Sequence, residues 1–108
     1  MNVIVSIGRN VGATPMHTLA WKDFQAKVFR VVSGYCTSIY FSGEGVGYYE
    51  SSAEDSYTVI GEVAMTPAVN MTIPDHPQMV NELAALAKQF CQESIAVTFG
   101  YPIFAGAK

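Results

Sequence analysis

Gly8-Arg9-Asn10-Val11-Gly12 is the stretch whose residue types and spacing could do chemistry: a guanidinium and an amide in a glycine-flanked loop between a strand-like run and a helix-like run. Backbone N–H groups and the dipole at a helix entrance favour an anion, and an arginine can hold a phosphate or carboxylate through two parallel hydrogen bonds. Gly-x-x-x-Gly lacks the Lys-Ser/Thr of a triphosphate-binding loop and the glycine order of a dinucleotide fingerprint. The competing role is structural, with Gly8 and Gly12 shaping a turn and Arg9 pairing with a surface carboxylate. His17 shares this helix entrance and could act as a general base or hydrogen-bond donor. Otherwise His17 and His76, the two histidines of the chain, are polar or capping residues. Neither has a His, Cys or carboxylate at the helical spacing of a metal site, so neither a metal nor a cofactor is expected.

Tyrosine is the second candidate chemistry. Tyr35, Tyr40, Tyr48, Tyr49 and Tyr57 cluster in a β-rich stretch, where neighbours such as Tyr48 and Tyr49 must point to opposite faces of a sheet. One set joins the core, and the exposed set suits stacking of a planar ligand or a subunit seam. Trp21 falls on the same stripe as Phe24 and reads as core. Glu50, Glu62 and Glu93 adjoin predicted strands, but nothing in the sequence brings two together for acid–base work, and edge protection explains them equally. No serine sits in a Gly-x-Ser-x-Gly elbow, and no catalytic residue is assigned.

The elements that position these residues follow from periodicity. Val3 to Ile7 reads as a strand buried on both faces and central in its sheet. Thr14 is an N-cap candidate followed by Pro15 at the first helical position, and Ala20, Trp21, Phe24, Val28 and Val31 form the stripe of a first helix ending near Ser33-Gly34. Asp23 and Lys27 pair across one turn of its outer side. Turn signals divide 35–64 into a meander of three strands, 35–41, 46–50 and 56–64, with Ser42-Gly43-Glu44-Gly45 as the first turn. The 65–74 connection is too apolar for a solvated loop. Asp75 can cap a second helix carrying Met79, Leu83, Leu86, Ala87 and Phe90. The pattern then switches from helical to strand period almost without a loop, and Ile95, Val97 and Phe99 face inward. Such a junction folds the last helix across the sheet, giving an α+β fold: an antiparallel sheet with two helices on one face, in ferredoxin-like order β-α-β-β-β-α-β.

At 108 residues, 50% of them hydrophobic, the chain accommodates one domain, taken as 1–100, with an apolar tail at 101–108 docked on it or on a neighbouring subunit. Only 14% of residues are charged, against about 25% in ordinary soluble domains, which favours a homo-oligomer. The net charge is −3, and the six basic residues are scattered, excluding a nucleic-acid stripe while leaving room for a small anionic ligand. No run reaches the length of a membrane span. Met1-Asn2 leads straight into the first strand without a signal-peptide pattern, so the expected location is the cytoplasm. Cys36 and Cys91 are expected as reduced core thiols, and the sequon Asn70-Met71-Thr72 as chance.

Trp21-Lys22-Asp23-Phe24, Asp55-Ser56-Tyr57-Thr58-Val59 and Gln92-Glu93-Ser94-Ile95 resemble the Trp-x-x-Phe pair, acidic-Ser-x-x-Val strand and final junction of a bacterial and phage family of small α+β domains of unknown function. Members of that family carry a secretory leader, which is not expected here, since Met1-Asn2 runs straight into the first strand. The resemblance implies a fold and no chemistry. The leading functional expectation is a non-enzymatic small-molecule-binding protein, analogous to a phage sponge that sequesters an anionic planar metabolite or signalling nucleotide. Its ligand residues would be Arg9, Asn10, His17, Tyr48, Tyr49 and Tyr57. The alternatives are a small dimeric α+β-barrel enzyme of monooxygenase or isomerase type and an inhibitory protein-interaction module.

Overall fold

Val3, Val5 and Ile7 are sealed from solvent and define the inner face of the central strand β1, Asn2–Gly8. The computed structural model describes residues 1–49, 52–64, 76–100 and 105–106. After β1 come a two-residue pair, β2 (Asn10–Val11) and β3 (Thr14–Pro15), then α1 (Thr18–Tyr35), β4 (Cys36–Tyr49), β5 (Ser52–Val63), α2 (Pro77–Gln89) and β6 (Ala96–Gly100). The main sheet has the order β4-β5-β1-β6, and every pairing in it is antiparallel. Among the described residues, two helices and a four-stranded antiparallel sheet make a mixed α+β fold of the ferredoxin-like kind. No described helix is long and apolar enough to cross a membrane.

The helices cover one face. Trp21, Phe24, Val28 and Val32 of α1 and Met79, Leu83 and Ala87 of α2 are buried. They meet the inward residues of β1 and Tyr57, Val59 and Val63 of β5, with Ile95, Val97 and Phe99 packed at the margin. Phe24 stacks on Phe90 at 4.6 Å between centroids, and Asp23 and Lys27 pair at 3.1 Å on the outer side. The opposite face stays open, with Ile4 40% exposed. β1 is therefore central but buried on one face only.

The local structure departs from the sequence pattern at four places. The 35–64 stretch is one long hairpin and not a meander. Gly43, Gly45 and Gly47 lie within β4 opposite Thr58, Ser56 and Glu54, because alternate glycines share one face of a strand as readily as they break one. At Gly43 the missing side chain leaves room for the Phe41 ring, whose Cζ would lie 2.9 Å from a Cβ there. Thr14 and Pro15 do not start α1. Gly12 adopts φ +62 and lets Asn10–Val11 fold back on Thr14–Pro15, so the cap passes to His17, whose Nδ1 accepts a hydrogen bond from the Leu19 N–H at 3.3 Å. Cys91 is not a core thiol: it lies exposed in the turn after α2 with φ +58, and six residues separate that helix from β6. Cys36 is half-buried at the start of β4, and burial pushes its thiol pKa up. In α2 the N-cap is His76. Asp75, Glu50, the 65–74 connection, the sequon and most of the 101–108 tail lie outside the described residues.

Gly61 is where β4 closes on β5 most tightly, since a Cβ there would stand 2.8 Å from both the Cys36 Sγ and the Ser38 carbonyl oxygen. Gly61→Ala should therefore lower stability by about 1–3 kcal/mol through overpacking. Urea unfolding followed by circular dichroism measures this, and an unchanged midpoint would contradict the packing described.

Candidate functional site

Arg9 leaves the end of β1 and turns its side chain toward the start of α1. Its Nε donates to the Met16 carbonyl at 2.8 Å, Nη1 to Asp55 Oδ2 at 3.0 Å and Nη2 to Thr18 Oγ1 at 3.3 Å. Its backbone joins the same framework: Arg9 N–H donates to the Asp55 carbonyl and Met16 N–H to the Arg9 carbonyl, both at 2.9 Å. One residue thus ties the β1–β2 link, the β5 strand and the helix entrance together.

The tie frames a cleft of about 270 Å³. Thr18, Trp21 and Lys22 form one wall, because residues three and four apart share a helix face. Glu44 and Gly45 of β4 with Asp55 of β5 form the other, and Arg9 closes the end. Trp21 is only 2% exposed, so its indole belongs to both core and cleft. Glu44 Oε1 accepts hydrogen bonds from Lys22 Nζ at 2.7 Å and Gln25 Nε2 at 2.6 Å. The Lys22 bond, then the Gln25 bond, hold the Glu44 carboxyl below the usual carboxylate range.

Of the sequence-expected ligand residues, Arg9 lines this cleft. Tyr57 is buried directly across from Glu44 in the hairpin, and burial pushes its pKa up. Tyr48 is 78% exposed on the same side of β4 as Glu44, further toward the hairpin tip. The Tyr49 side chain lies outside the described residues. Asn10 is occupied elsewhere, its N–H donating to Glu54 Oε1 at 2.7 Å and its carbonyl accepting from Gln92 Nε2 at 3.0 Å. His17 caps α1 with its ring exposed.

Glu62 bonds the Tyr40 hydroxyl on the open sheet face, and Glu93 is exposed before β6. Among the described residues no group of three or more His, Cys, Asp or Glu is placed to hold a metal ion. The sequence reading missed Glu44, taken for a turn residue, and Gln25. The available signal was Gln25 itself, a polar residue one position past Phe24 and three before Val28.

No family model matches the chain, and no curated protein matches it. Among solved structures, it is similar to a phage SAM lyase in complex with S-methyl-5′-thioadenosine, with a TM-score of 0.51 and 21% identity over 89% of this chain and 76% of that one. The apo state of a phage SAM lyase aligns with a TM-score of 0.48 and 19% identity over 89% and 75% of the two chains. At these identities the likeness is one of fold.

Because the pKa of Glu44 is depressed in the folded chain, its contribution to stability is present above the ordinary carboxylate range. That contribution is lost as pH falls through the depressed value. In a carboxyl NMR titration, Glu44 should have the lower midpoint in the wild type, rising toward the ordinary range in Lys22→Met. Equal midpoints in the two proteins would exclude Lys22 as the cause.

Proposed function

We propose that this chain is a small-molecule-binding protein whose cleft between α1 and the β4–β5 hairpin takes a purine-nucleoside type of ligand and holds it without turnover. The observation that carries the reading is the cleft itself, where an indole, a fixed carboxylate and an arginine converge on a space of about 270 Å³, close to the lower end of the roughly 300–1,000 Å³ usual for small-molecule sites. The nucleoside class is supported by the fold likeness to a protein solved with S-methyl-5′-thioadenosine. Arg9 uses three of its side-chain N–H groups internally and can offer the rest to hydroxyl or ring-nitrogen acceptors. With Asp55 already beside it, the cleft suits a nucleoside better than a polyphosphate. Tyr48 extends the hairpin wall and would cover the ring, as tyrosine faces do for bases. A sequestering role needs stoichiometric binding, and the phage context of the similar structure accords with the sponge-like reading.

A lyase-type activity is the second reading, favoured by the name of that same structure. Titration calorimetry with S-methyl-5′-thioadenosine, adenosine and S-adenosylmethionine, followed by chromatography of the recovered ligand, separates the two. Sequestration gives saturable binding and unchanged ligand; a new product from S-adenosylmethionine replaces it with the lyase reading. Arg9→Ala should weaken binding at least about tenfold, or ~1.4 kcal/mol, and Tyr48→Ala by roughly fivefold or more. Wild-type protein that binds none of the three, or Arg9→Ala that binds as well as wild type, overturns the proposed site.

A further inference from the structure

We propose that Glu44, positioned by Gln25, is the cation-recognising group of the cleft, so that the preferred ligand is a positively charged nucleoside, a sulfonium or an amine, whose charge replaces the Lys22 ammonium. This rests on the nucleoside reading above and adds the charge that the site selects. Among the described residues, Gln25 is the polar side chain buried in the core, 8% exposed between Phe24 and Val28. A buried amide is costly unless it is hydrogen-bonded, and Gln25 Nε2 spends itself on Glu44 Oε1 at 2.6 Å. The core thus supplies a rigid donor that fixes where a carboxylate on a neighbouring strand sits.

Lys22 donates to that same oxygen at 2.7 Å, but its side chain is 59% exposed. A solvated pair of this kind contributes little and exchanges readily. Lys22 therefore stands where a ligand cation would stand and is displaceable, whereas Gln25 is not. On the same hairpin wall Asp55 pairs with Arg9 at 3.0 Å, so their charges cancel and Glu44 is the carboxylate left to a ligand once Lys22 swings out. Trp21 lines the same space and is itself almost wholly buried, so this wall of the cleft is apolar and gives Glu44 no competing charge.

The test compares S-methyl-5′-thioadenosine with its S-methylated sulfonium, which adds one methyl and one positive charge to the same nucleoside. Wild-type protein should prefer the sulfonium by roughly fivefold or more at low ionic strength, and the preference should shrink with added salt. Glu44→Gln and Gln25→Leu should each reduce the sulfonium-to-thioether affinity ratio. Lys22→Met should raise sulfonium affinity, because the internal competitor is gone. Equal binding of the two probes by wild type overturns the charge preference while leaving the nucleoside site standing, and binding of neither overturns both. A Lys22→Met variant that loses affinity would mean that Lys22 serves the ligand directly, which also overturns the proposal.

Discussion

Everything in this structure hangs on β1 having to satisfy both of its edges and one of its faces at once. It pairs with β5 from Asn2↔Glu62 to Gly8↔Ser56 and with β6 from Asn2↔Gly100 to Ser6↔Ala96. Its inward residues Val3 and Val5 have no solvent exposure. A strand bonded on both sides cannot slip register without moving its apolar set to the wrong face. Its end at Gly8 is therefore a fixed point in space, and Arg9 is the first residue beyond it.

The polar architecture around that point is arranged as two neutral pairs. Arg9 and Asp55 stitch the sheet to the helix entrance, while Lys22 and Gln25 secure Glu44. The pairs differ in what removing a partner would do. The Arg9 bonds reach three segments, so they act on the backbone framework as well as on charge. The Glu44 bonds join α1 to one strand, so they set the position of a carboxylate and little else. A rigid frame carrying one adjustable charged contact is the arrangement a recognition site requires.

Much of the fold was legible because burial imposes periodicity. The alternation at Val3, Val5 and Ile7, the α1 stripe through Trp21, Phe24 and Val28, and the inward set Ile95, Val97 and Phe99 are direct records of one-sided packing. The glycines of β4 misled because sequence does not distinguish a glycine that turns a chain from one that makes room for Phe41. Thr14-Pro15 misled for a related reason, since the competing hairpin depends on Gly12 at positive φ, a choice made by local geometry. The cleft was half legible. Arg9 stood out by its glycine-flanked position, whereas Glu44 and Gln25 gain meaning only when the hairpin folds over α1, 19 residues separating the two in sequence. Charged groups solvated in the chain and paired in the fold leave no periodic trace.

The β4–β5 hairpin outruns its neighbour. Beyond the Gly8↔Ser56 pairing, Val46 to Tyr49 pair with Ser52 to Asp55 as a two-stranded ribbon, with no third strand beside it among the described residues. Such a ribbon is twisted more strongly and held less firmly than the body of a sheet. It is braced at its root by Glu54 against the Asn10 N–H and by Asp55 against Arg9, both contacts on the same short segment. Mechanically the hairpin is a cantilever clamped at one end, so its tip carries Tyr48 on an arm whose bending is resisted by a pair of hydrogen-bonded carboxylates rather than by packing. Ionic strength, which weakens the Arg9–Asp55 attraction along with the other exposed ion pairs, is thus a handle on the compliance of that arm.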